Sequence, residues 1–376
     1  MKQNIVTSKG SYKELDNWIL ASEMKKFLLV CDDSIKYQKE LGEHIYGLRD
    51  TLGVEVIPFS NFQPNPLYEN VVDGVKLFRD KCCDGIISVG GGSAMDVAKC
   101  IKLYSNMEGD GSNGSFLEQE YMPNDIPFLA VPTTAGTGSE ATRYAVIYYE
   151  GRKQSITSDS FIPGTVLMDP DCLSTLPSYQ KKATMMDALC HAIESYWSVN
   201  STDESKKYSR EAIGLILENM VEYLKDANTE ESRKNMLIAA NIAGKAINIT
   251  QTTAGHAMCY KLTSLFKVAH GHAAILCDRV LFPWMIENTD KCIDCRGEAY
   301  LKKTLDEIGQ AMGCKDASEG ADKLVLIFDK LGLSIPAASQ KQFEELKTSV
   351  NPDRLKNHPI RLDDNIIDGL YHEILR

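Results

Sequence analysis

The chain has 376 residues, of which 43% are hydrophobic and 25% charged, and its formal net charge is -11 at pH 7. This length predicts two domains, and the composition is that of a folded globular protein rather than a disordered or fibrous one. The negative charge argues against a nucleic-acid partner, because phosphate binding needs clustered Lys and Arg. No apolar run reaches the roughly 18 to 20 residues that span a bilayer, so we expect no membrane partner and a cytoplasmic location.

The first half of the chain alternates short apolar, β-branched runs with helical stretches. In chain order we predict a strand in KKFLLVCD, a helix through IKYQKELGEHIYGLRDTL, a strand in VEVIPF, a helix ending near Lys81 and a strand in GIISVGGG. Strands that are continuous apolar runs, alternating with helices, are typical of a parallel sheet covered on both faces. We therefore predict an α/β N-terminal dinucleotide-binding domain with a parallel sheet over residues 1–177.

The second half has a different period. After Leu176-Pro177 the β-rich runs disappear, and long segments with helical spacing follow, such as YSREAIGLILENMVEYLKD. Apolar residues recurring every three or four positions indicate amphipathic helices. We therefore predict an all-α C-terminal domain over residues 178–376.

The strand FLLVC ends in Asp32 and Asp33. A carboxylate at the end of such a strand can accept the ribose hydroxyls of a dinucleotide and repel a 2'-phosphate, which favours NAD(H) over NADP(H). Asp32 could instead cap the start of a helix.

A glycine-rich loop follows the strand GIISV. In GGGSAMDVAK the glycines allow close approach to an anion, and Ser93 and Asp96 match a capping box at a helix start. The spacing departs from the dinucleotide fingerprint because Met95 stands where its third glycine would be. A glycine turn without a ligand is the alternative for this loop alone.

A second loop of small residues, AVPTTAGTGSEAT, follows another apolar run and offers the hydroxyls of Thr133, Thr134, Thr137 and Ser139. Two such loops in one α/β half favour a nucleotide ligand.

A third pattern indicates a metal. Asp187 and His191 are four residues apart in TMMDALCHAIESYW, so both project from one face of a helix that is otherwise apolar. With His256 and His270 they could supply one carboxylate and three imidazoles, which suits Fe2+ or Zn2+. A single buried histidine is more commonly a core residue, but four such residues together favour a metal site.

These motifs resemble the iron-containing (group III) alcohol dehydrogenases over nearly the whole chain. The resemblance is carried by GGGSAMDVAK, PTTAGTGSE, Asp169-Pro170, DALCHAIE, and GHAM followed by HG. It implies the fold predicted above and a homodimer or higher homo-oligomer. Carried over by position, it places the metal ligands on Asp187, His191, His256 and His270, and the cofactor contacts on Asp32, Asn65, Gly91, Gly92, Ser93, Thr133, Thr134, Thr137 and Lys153.

One position departs from the family pattern. Many members have a histidine four residues after the third ligand, where this chain has Tyr260, and His272 follows two residues after the last ligand. Either Tyr260 or His272 could relay the alcohol proton, and either could have only a packing role.

The resemblance implies a metal-dependent hydride transfer between a nicotinamide and a carbonyl carbon. The segment TTAGHAMCYKLTSLF with AHGHA looks like the branch that reduces phosphonoacetaldehyde to 2-hydroxyethylphosphonate. An anionic substrate needs fixed positive charge, for which Arg143 and Lys261 are candidates, although both could be surface or interface charges.

Three other functions are open. The same machinery could act on another small alcohol, aldehyde or diol. A lyase like the dehydroquinate synthases would have a different ligand set, and a non-catalytic cofactor-binding protein would normally lack a ligand.

Overall fold

The computed structural model describes residues 3–8 and 11–376. Contacts group them into two compact units, one formed by the chain up to Thr134 and by Gly138–Leu176, the other by Ala135–Thr137 and Pro177–Arg376. The chain thus passes from the first unit to the second between Leu176 and Pro177, and the short segment Ala135–Thr137 packs with the second unit.

The first unit contains eight strands and four α-helices among its described residues. The strands are β1 (Asn4–Thr7), β2 (Lys26–Cys31), β3 (Glu55–Phe59), β4 (Gly85–Gly90), β5 (Phe128–Pro132), β6 (Tyr144–Tyr149), β7 (Arg152–Thr157) and β8 (Thr165–Met168). The helices are α1 (Lys13–Ala21), α2 (Lys39–Leu52), α3 (Tyr68–Asp80) and α4 (Gly92–Tyr104).

Six of these strands form one sheet in the order β1-β8-β5-β4-β2-β3, and every neighbouring pair is parallel. The residues of β2 alternate between two apolar cores, with Leu28 and Val30 in the core that α3 and α4 cover, and Leu29 in the core that α1 and α2 cover. A strand buried on both faces must be apolar at every position, which explains the run FLLVC. The predicted parallel α/β domain is confirmed.

The topology also brings the loops of interest to one edge. Strands β2, β4 and β5 are parallel neighbours, and their carboxyl ends lead into Asp32, Gly91 and Thr133. Ligands of open α/β sheets bind beyond the carboxyl ends of the strands.

Strands β6 and β7 form an antiparallel hairpin separate from the main sheet. The sequence analysis did not predict this hairpin. It packs against α4, and Asp96 of that helix accepts a hydrogen bond from the backbone N–H of Val146 at 3.0 Å.

The second unit is largely helical, as predicted. Its helices are α5 (Ser178–Trp197), α6 (Asp203–Tyr223), α7 (Glu230–Thr250), α8 (Ala254–Phe266), α9 (His270–Glu287), α10 (Glu298–Ala311), α11 (Ala317–Leu331), α12 (Gln340–Lys347), α13 (Pro352–Leu355) and α14 (Asp364–Ile374). One isolated bridge joins Cys292 to Ile360. No helix in the described ranges is both long and apolar enough to cross a membrane.

Helix α5 lies at the centre of this unit, packed against α6, α7 and α9, and is buried from Met185 to Trp197. A helix buried on all sides is normally apolar throughout. This one nevertheless carries Asp187, His191 and Glu194, so these polar side chains need partners inside the core.

Candidate metal centre and phosphate-binding loops

Three of the four predicted ligands lie together. Asp187 on α5, His256 on α8 and His270 at the start of α9 each offer a donor atom, and these atoms lie within 4.8 Å of one another. Oδ1 of Asp187 is 3.5 Å from Nε2 of His256 and 3.9 Å from Nε2 of His270. Helices distant in sequence therefore converge on one point.

The fourth predicted ligand, His191, lies beside this group. Its ring stacks on that of His256 with a centroid distance of 4.4 Å and an interplanar angle of 15°. His191 is one turn along α5 from Asp187, and both are buried. The structure thus brings together all four side chains that the sequence analysis singled out.

The unpaired atoms of this group fit a divalent cation. Oδ1 of Asp187, Nδ1 of His191 and Nε2 of His256 are buried and have no hydrogen-bond partner within the described part of the chain. Each such atom costs about 1–3 kcal/mol when nothing satisfies it. A carboxylate and imidazoles are donors that Fe2+ and Zn2+ accept, so a metal held by Asp187, His256 and His270 would satisfy Oδ1 of Asp187 and Nε2 of His256.

The electrostatics of the group also favour a cation. Burial lowers the pKa of His191 to about 4, which keeps its ring neutral and able to bind a metal. Burial opposes ionisation of Asp187, but the histidines around it hold its pKa below the usual range. Burial likewise opposes charge on His256, yet Glu194 and Asp187 raise its pKa to about 10. A metal that binds here displaces a proton from His256.

Glu194 fixes the orientation of His256. One of its carboxylate oxygens accepts hydrogen bonds from Nδ1 and from the backbone N–H of His256, the latter at 2.9 Å. The other oxygen accepts from the backbone N–H of Thr253 at 2.5 Å and from its hydroxyl at 2.6 Å. Because Nδ1 donates to Glu194, Nε2 is left as the atom that faces Asp187 and a metal.

Neither Glu194 nor Thr253 was predicted as a site residue. A signal was present, since Glu194 is seven residues after Asp187 and three after His191, which places all three on one face of α5.

A second carboxyl group, also missed from sequence, lies behind Glu194. Asp278 on α9 is fully buried, and neither of its oxygens has a hydrogen-bond partner among the described residues. Burial, followed by the neighbouring Glu194, raises its pKa well above the usual range. This shift favours the uncharged acid beside the Glu194 carboxylate.

Two glycines next to the ligands allow the helices to approach. A Cβ atom at Gly255 would lie 1.9 Å from Oδ1 of Asp278 and 2.8 Å from Oε1 of Glu194. A Cβ atom at Gly271 would lie 2.0 Å from the carbonyl oxygen of Ala183 on α5. The glycine of GHAM and that of HG thus have a packing reason, because a side chain at Gly255 would collide with Asp278 and Glu194, and one at Gly271 would collide with α5.

Tyr260 and His272, the candidate proton relays, have different surroundings. The Tyr260 ring stacks on that of His270, with centroids 5.4 Å apart at 26°. Burial raises the pKa of Tyr260 to about 12 although Arg354 opposes the shift, so the phenol is protonated at neutral pH. His272 is buried, and its two ring nitrogens lie 3.0 Å from the hydroxyl of Tyr179 and 2.9 Å from the carbonyl oxygen of Ser334. Both nitrogens of His272 therefore have protein partners.

The two candidate cations for a substrate anion lie in different units. Arg143 in the first unit has a guanidinium nitrogen 3.6 Å from Oδ1 of Asp159. Lys261 on α8 forms an ion pair with Glu345 of α12 at 2.5 Å. Each cation faces a carboxylate on a partly exposed surface.

The glycine-rich loop opens helix α4 as predicted, but with different capping. The helix begins at Gly92 with Gly91 as its N-cap, and no side chain caps it. The predicted capping box of Ser93 and Asp96 is therefore wrong, because Ser93 lies in the first turn and Asp96 points to the second loop. Uncapped N–H groups at this end suit an anionic ligand.

The two loops are tied together inside the first unit. The backbone N–H of Thr133 donates to the carbonyl oxygen of Gly90 at 3.0 Å, and the Thr134 hydroxyl lies 3.3 Å from where a Cβ of Gly91 would be. Asp96 accepts a hydrogen bond from the hydroxyl of Ser139 at 2.9 Å.

Lys99, which no sequence argument singled out, completes this connection. It is fully buried, and its ammonium group donates to the carbonyl oxygen of Ser139 at 2.6 Å and to that of Tyr144 at 2.8 Å. Burial lowers the pKa of Lys99 to about 8. Asp96 and Lys99 thus hold the second loop and the hairpin against α4.

The other predicted cofactor contacts are placed as follows. Oδ1 of Asp32 accepts from the backbone N–H of Ser34 at 2.8 Å and caps a short 3₁₀ helix, which is the alternative role considered from sequence. Asn65 is exposed and has a positive φ of 59°. Lys153 lies on β7. Thr137 lies in the loop segment that is grouped with the second unit. Oδ2 of Asp32 is oriented toward Gly90, within reach of the glycine-rich loop.

Comparison with known proteins identifies the family of the chain. The sequence model described as "Iron-containing alcohol dehydrogenase" matches residues 2–170, and the one described as "Fe-containing alcohol dehydrogenase family, C-terminal" matches residues 181–348. Together they cover most of both units.

Individual relatives lead to the same family. Alcohol dehydrogenase 4 of Saccharomyces cerevisiae is 31% identical over 306 residues, which is 81% of this chain and 77% of that protein. The 1,3-propanediol dehydrogenase of Citrobacter freundii is 35% identical over 276 residues, covering 72% and 70%. The crystal structure of sulfoacetaldehyde reductase from Bifidobacterium kashiwanohense in complex with NAD+ superposes with a TM-score of 0.86 at 26% identity, covering 99% of this chain and 96% of that one. The chain is an oxidoreductase that belongs to the iron-containing alcohol dehydrogenase family.

Proposed function

We propose that this protein is an NAD(H)-linked, metal-dependent reductase of phosphonoacetaldehyde, which it converts to 2-hydroxyethylphosphonate. The observation that carries the metal-dependent chemistry is the group formed by buried Asp187 and His256 and by the partly exposed His270, with His191 stacked on His256. The similarity to a sulfoacetaldehyde reductase supports a two-carbon aldehyde with an anionic end.

In this proposal Asp187, His191, His256 and His270 hold one Fe2+ ion, with Zn2+ as the alternative. When bound, the ion supplies Lewis-acid polarisation of the substrate oxygen. Glu194 keeps Nε2 of His256 directed inward.

Most of the proposed cofactor contacts lie in the first unit. Gly91, Gly92 and Ser93 present the N-terminal amides of α4 to the pyrophosphate, with Asn65, Thr133, Thr134, Thr137 and Lys153 as further contacts. Asp32 at the end of β2 favours NAD(H), because a 2'-phosphate would meet its carboxylate.

Reduction requires a hydride from NADH at the carbonyl carbon and a proton at its oxygen. Tyr260 is the better proton donor of the two candidates, because its protonated phenol lies against the proposed ligand His270. Replacing Tyr260 by Phe should then lower kcat and leave the metal content unchanged.

Positive charge from Arg143 and Lys261 is proposed to hold the phosphonate. Replacing either by Ala should weaken catalysis with phosphonoacetaldehyde by about 1.5 to 3 kcal/mol relative to an uncharged aldehyde, since only the charged substrate loses a charge-assisted hydrogen bond. That is roughly a tenfold to hundredfold selective loss in kcat/KM.

The deciding experiment is an absorbance assay of the iron-loaded protein with NADH and NADPH. The aldehyde panel contains phosphonoacetaldehyde, sulfoacetaldehyde, propanal and 3-hydroxypropanal. A kcat/KM for phosphonoacetaldehyde well above those of the uncharged aldehydes supports the proposal, and a preference for an uncharged aldehyde overturns it.

A dehydrogenase of a small uncharged alcohol or diol is the second candidate, favoured by the 35% identity to a 1,3-propanediol dehydrogenase. It uses the same ligands and cofactor residues, and the 3-hydroxypropanal arm of the panel tests it. We further propose a cytoplasmic homodimer or higher homo-oligomer, in keeping with eleven cysteines that are all free thiols.

A further inference from the structure

A stack of three side chains leads outward from the proposed metal centre. The guanidinium of Arg354, on α13, lies 4.6 Å from the centroid of the Tyr260 ring. The Tyr260 ring also stacks on that of His270, a proposed ligand, with centroids 5.4 Å apart. A single aromatic ring therefore separates a permanent positive charge from the site, and all three residues belong to the second unit.

The charge of Arg354 is not neutralised by a carboxylate. Within residues 3–8 and 11–376, no Asp or Glu lies within ion-pair distance of Arg354, and its neighbour Asp353 pairs with Lys356 at 2.6 Å. Lys261, by contrast, pairs with Glu345. Arg354 is only half-buried, so its charge is accessible to a solute.

The chemistry of arginine suits a tetrahedral anion. A guanidinium has five N–H donors in a planar fork, and the ring contact and side-chain hydrogen bond of Arg354 with Tyr260 still leave donors for an anion. The ring contact also restricts the side chain, which reduces the entropy lost when an anion binds.

We propose that Arg354 binds the anionic group of the substrate, a phosphonate or sulfonate on a two-carbon aldehyde, and thereby sets the preference for charged substrates. This inference rests on the proposed function and deepens it. It adds a residue on α13 to Arg143 and Lys261 as a binder of the anionic group.

Three variants test this assignment. Arg354→Met removes the charge and keeps the length of the stem, Arg354→Lys keeps the charge without the fork, and Lys356→Met is the matched control on the same segment. Each iron-loaded enzyme is assayed with phosphonoacetaldehyde, sulfoacetaldehyde and propanal, after its metal content and circular dichroism are compared with those of the parent.

Arg354→Met should lower kcat/KM for the charged aldehydes roughly tenfold to hundredfold, mainly through KM, and change propanal turnover by less than about threefold. Arg354→Lys should fall between this variant and the parent, and Lys356→Met should match the parent. The relative losses of the phosphonate and the sulfonate identify which anion the site prefers. Equal losses on all three aldehydes would show that Arg354 only supports Tyr260 and His270, and would overturn the proposal.

A separate measurement distinguishes failure of this inference from failure of the proposed function. If the parent prefers propanal, the proposed function fails, but Arg354 can still be tested as an anion site through inhibition of propanal reduction by inorganic phosphate and sulfate. Arg354→Met should raise the inhibition constant at least tenfold. An unchanged constant, or no inhibition of the parent, overturns the inference.

Discussion

Replacing Glu194 by Gln tests whether this carboxylate fixes the geometry of the metal centre. Each oxygen of Glu194 accepts two donors, one of which is a backbone N–H, from His256 or from Thr253. A carboxamide has only one oxygen, so in either orientation its NH2 group faces a backbone N–H that loses its acceptor.

Two magnitudes follow from that arrangement. A buried N–H without an acceptor costs about 1–3 kcal/mol, so the free energy of unfolding should fall by that amount. Loss of the partner that orients a ligand histidine typically lowers metal affinity about 10–100-fold, which is about 1.4–2.7 kcal/mol.

The assay is a titration of iron or zinc against a competing chelator, together with urea denaturation of the same preparations. Glu222→Gln on α6 is the control, because its carboxylate pairs with the exposed Lys225 and the loss of such a surface pair should cost less than about 1 kcal/mol. Metal affinity of Glu194→Gln within twofold of the parent would refute the role assigned to this carboxylate.

Three further predictions concern other residues. His256→Ala or His270→Ala should abolish turnover because the metal is lost, while NADH binding in the first unit survives. Stoichiometric metal and near-normal activity in either variant would refute the ligand assignment. Asp32→Gly should relax the preference for NADH, and a parent enzyme with the higher kcat/KM for NADPH would contradict this role. Burial lowers the pKa of His358 to about 3, so below about pH 6.5 the unfolded chain gains a proton that the folded chain does not, and stability is lost as the pH falls. The free energy of unfolding should fall by about 1.4 kcal/mol between pH 7.5 and 5.5 because of this group. His358→Phe should remove that part of the pH dependence measured by urea unfolding. Parallel pH curves for variant and parent would contradict the assignment.

The spacing of residues close together in the sequence predicted the secondary structure and which side chains share one face of a helix. Apolar runs such as FLLVC predicted the buried parallel strands, and the interval between Asp187 and His191 predicted two side chains on one helical face. The resemblance to the iron-containing alcohol dehydrogenases placed His256 and His270 with them, and the family assignment is confirmed.

The residues that were missed act through contacts distant in sequence. Glu194 and the backbone N–H of His256 are 62 residues apart, and Lys99 reaches the carbonyl oxygen of Ser139 across 40. The capping-box prediction failed for the same reason, because Asp96 satisfies donors 43 and 50 residues away instead of its own helix end. No local pattern distinguishes a carboxylate that caps its helix from one that ties down a distant loop.

Helix α5 carries Asp187, His191 and Glu194 on one face, so one rigid rod sets the spacing of two proposed ligands and of the carboxylate that orients a third. The number of residues between these side chains is therefore more strictly constrained than the identity of the residues between them. An insertion or deletion of one residue between Asp187 and Glu194 would rotate one side chain by about 100° relative to the other and separate them onto different faces. Substitutions along the remaining faces of α5 change packing alone. Length variation among relatives should consequently be excluded from this interval and tolerated in the connections that follow α11, where no proposed ligand depends on the register.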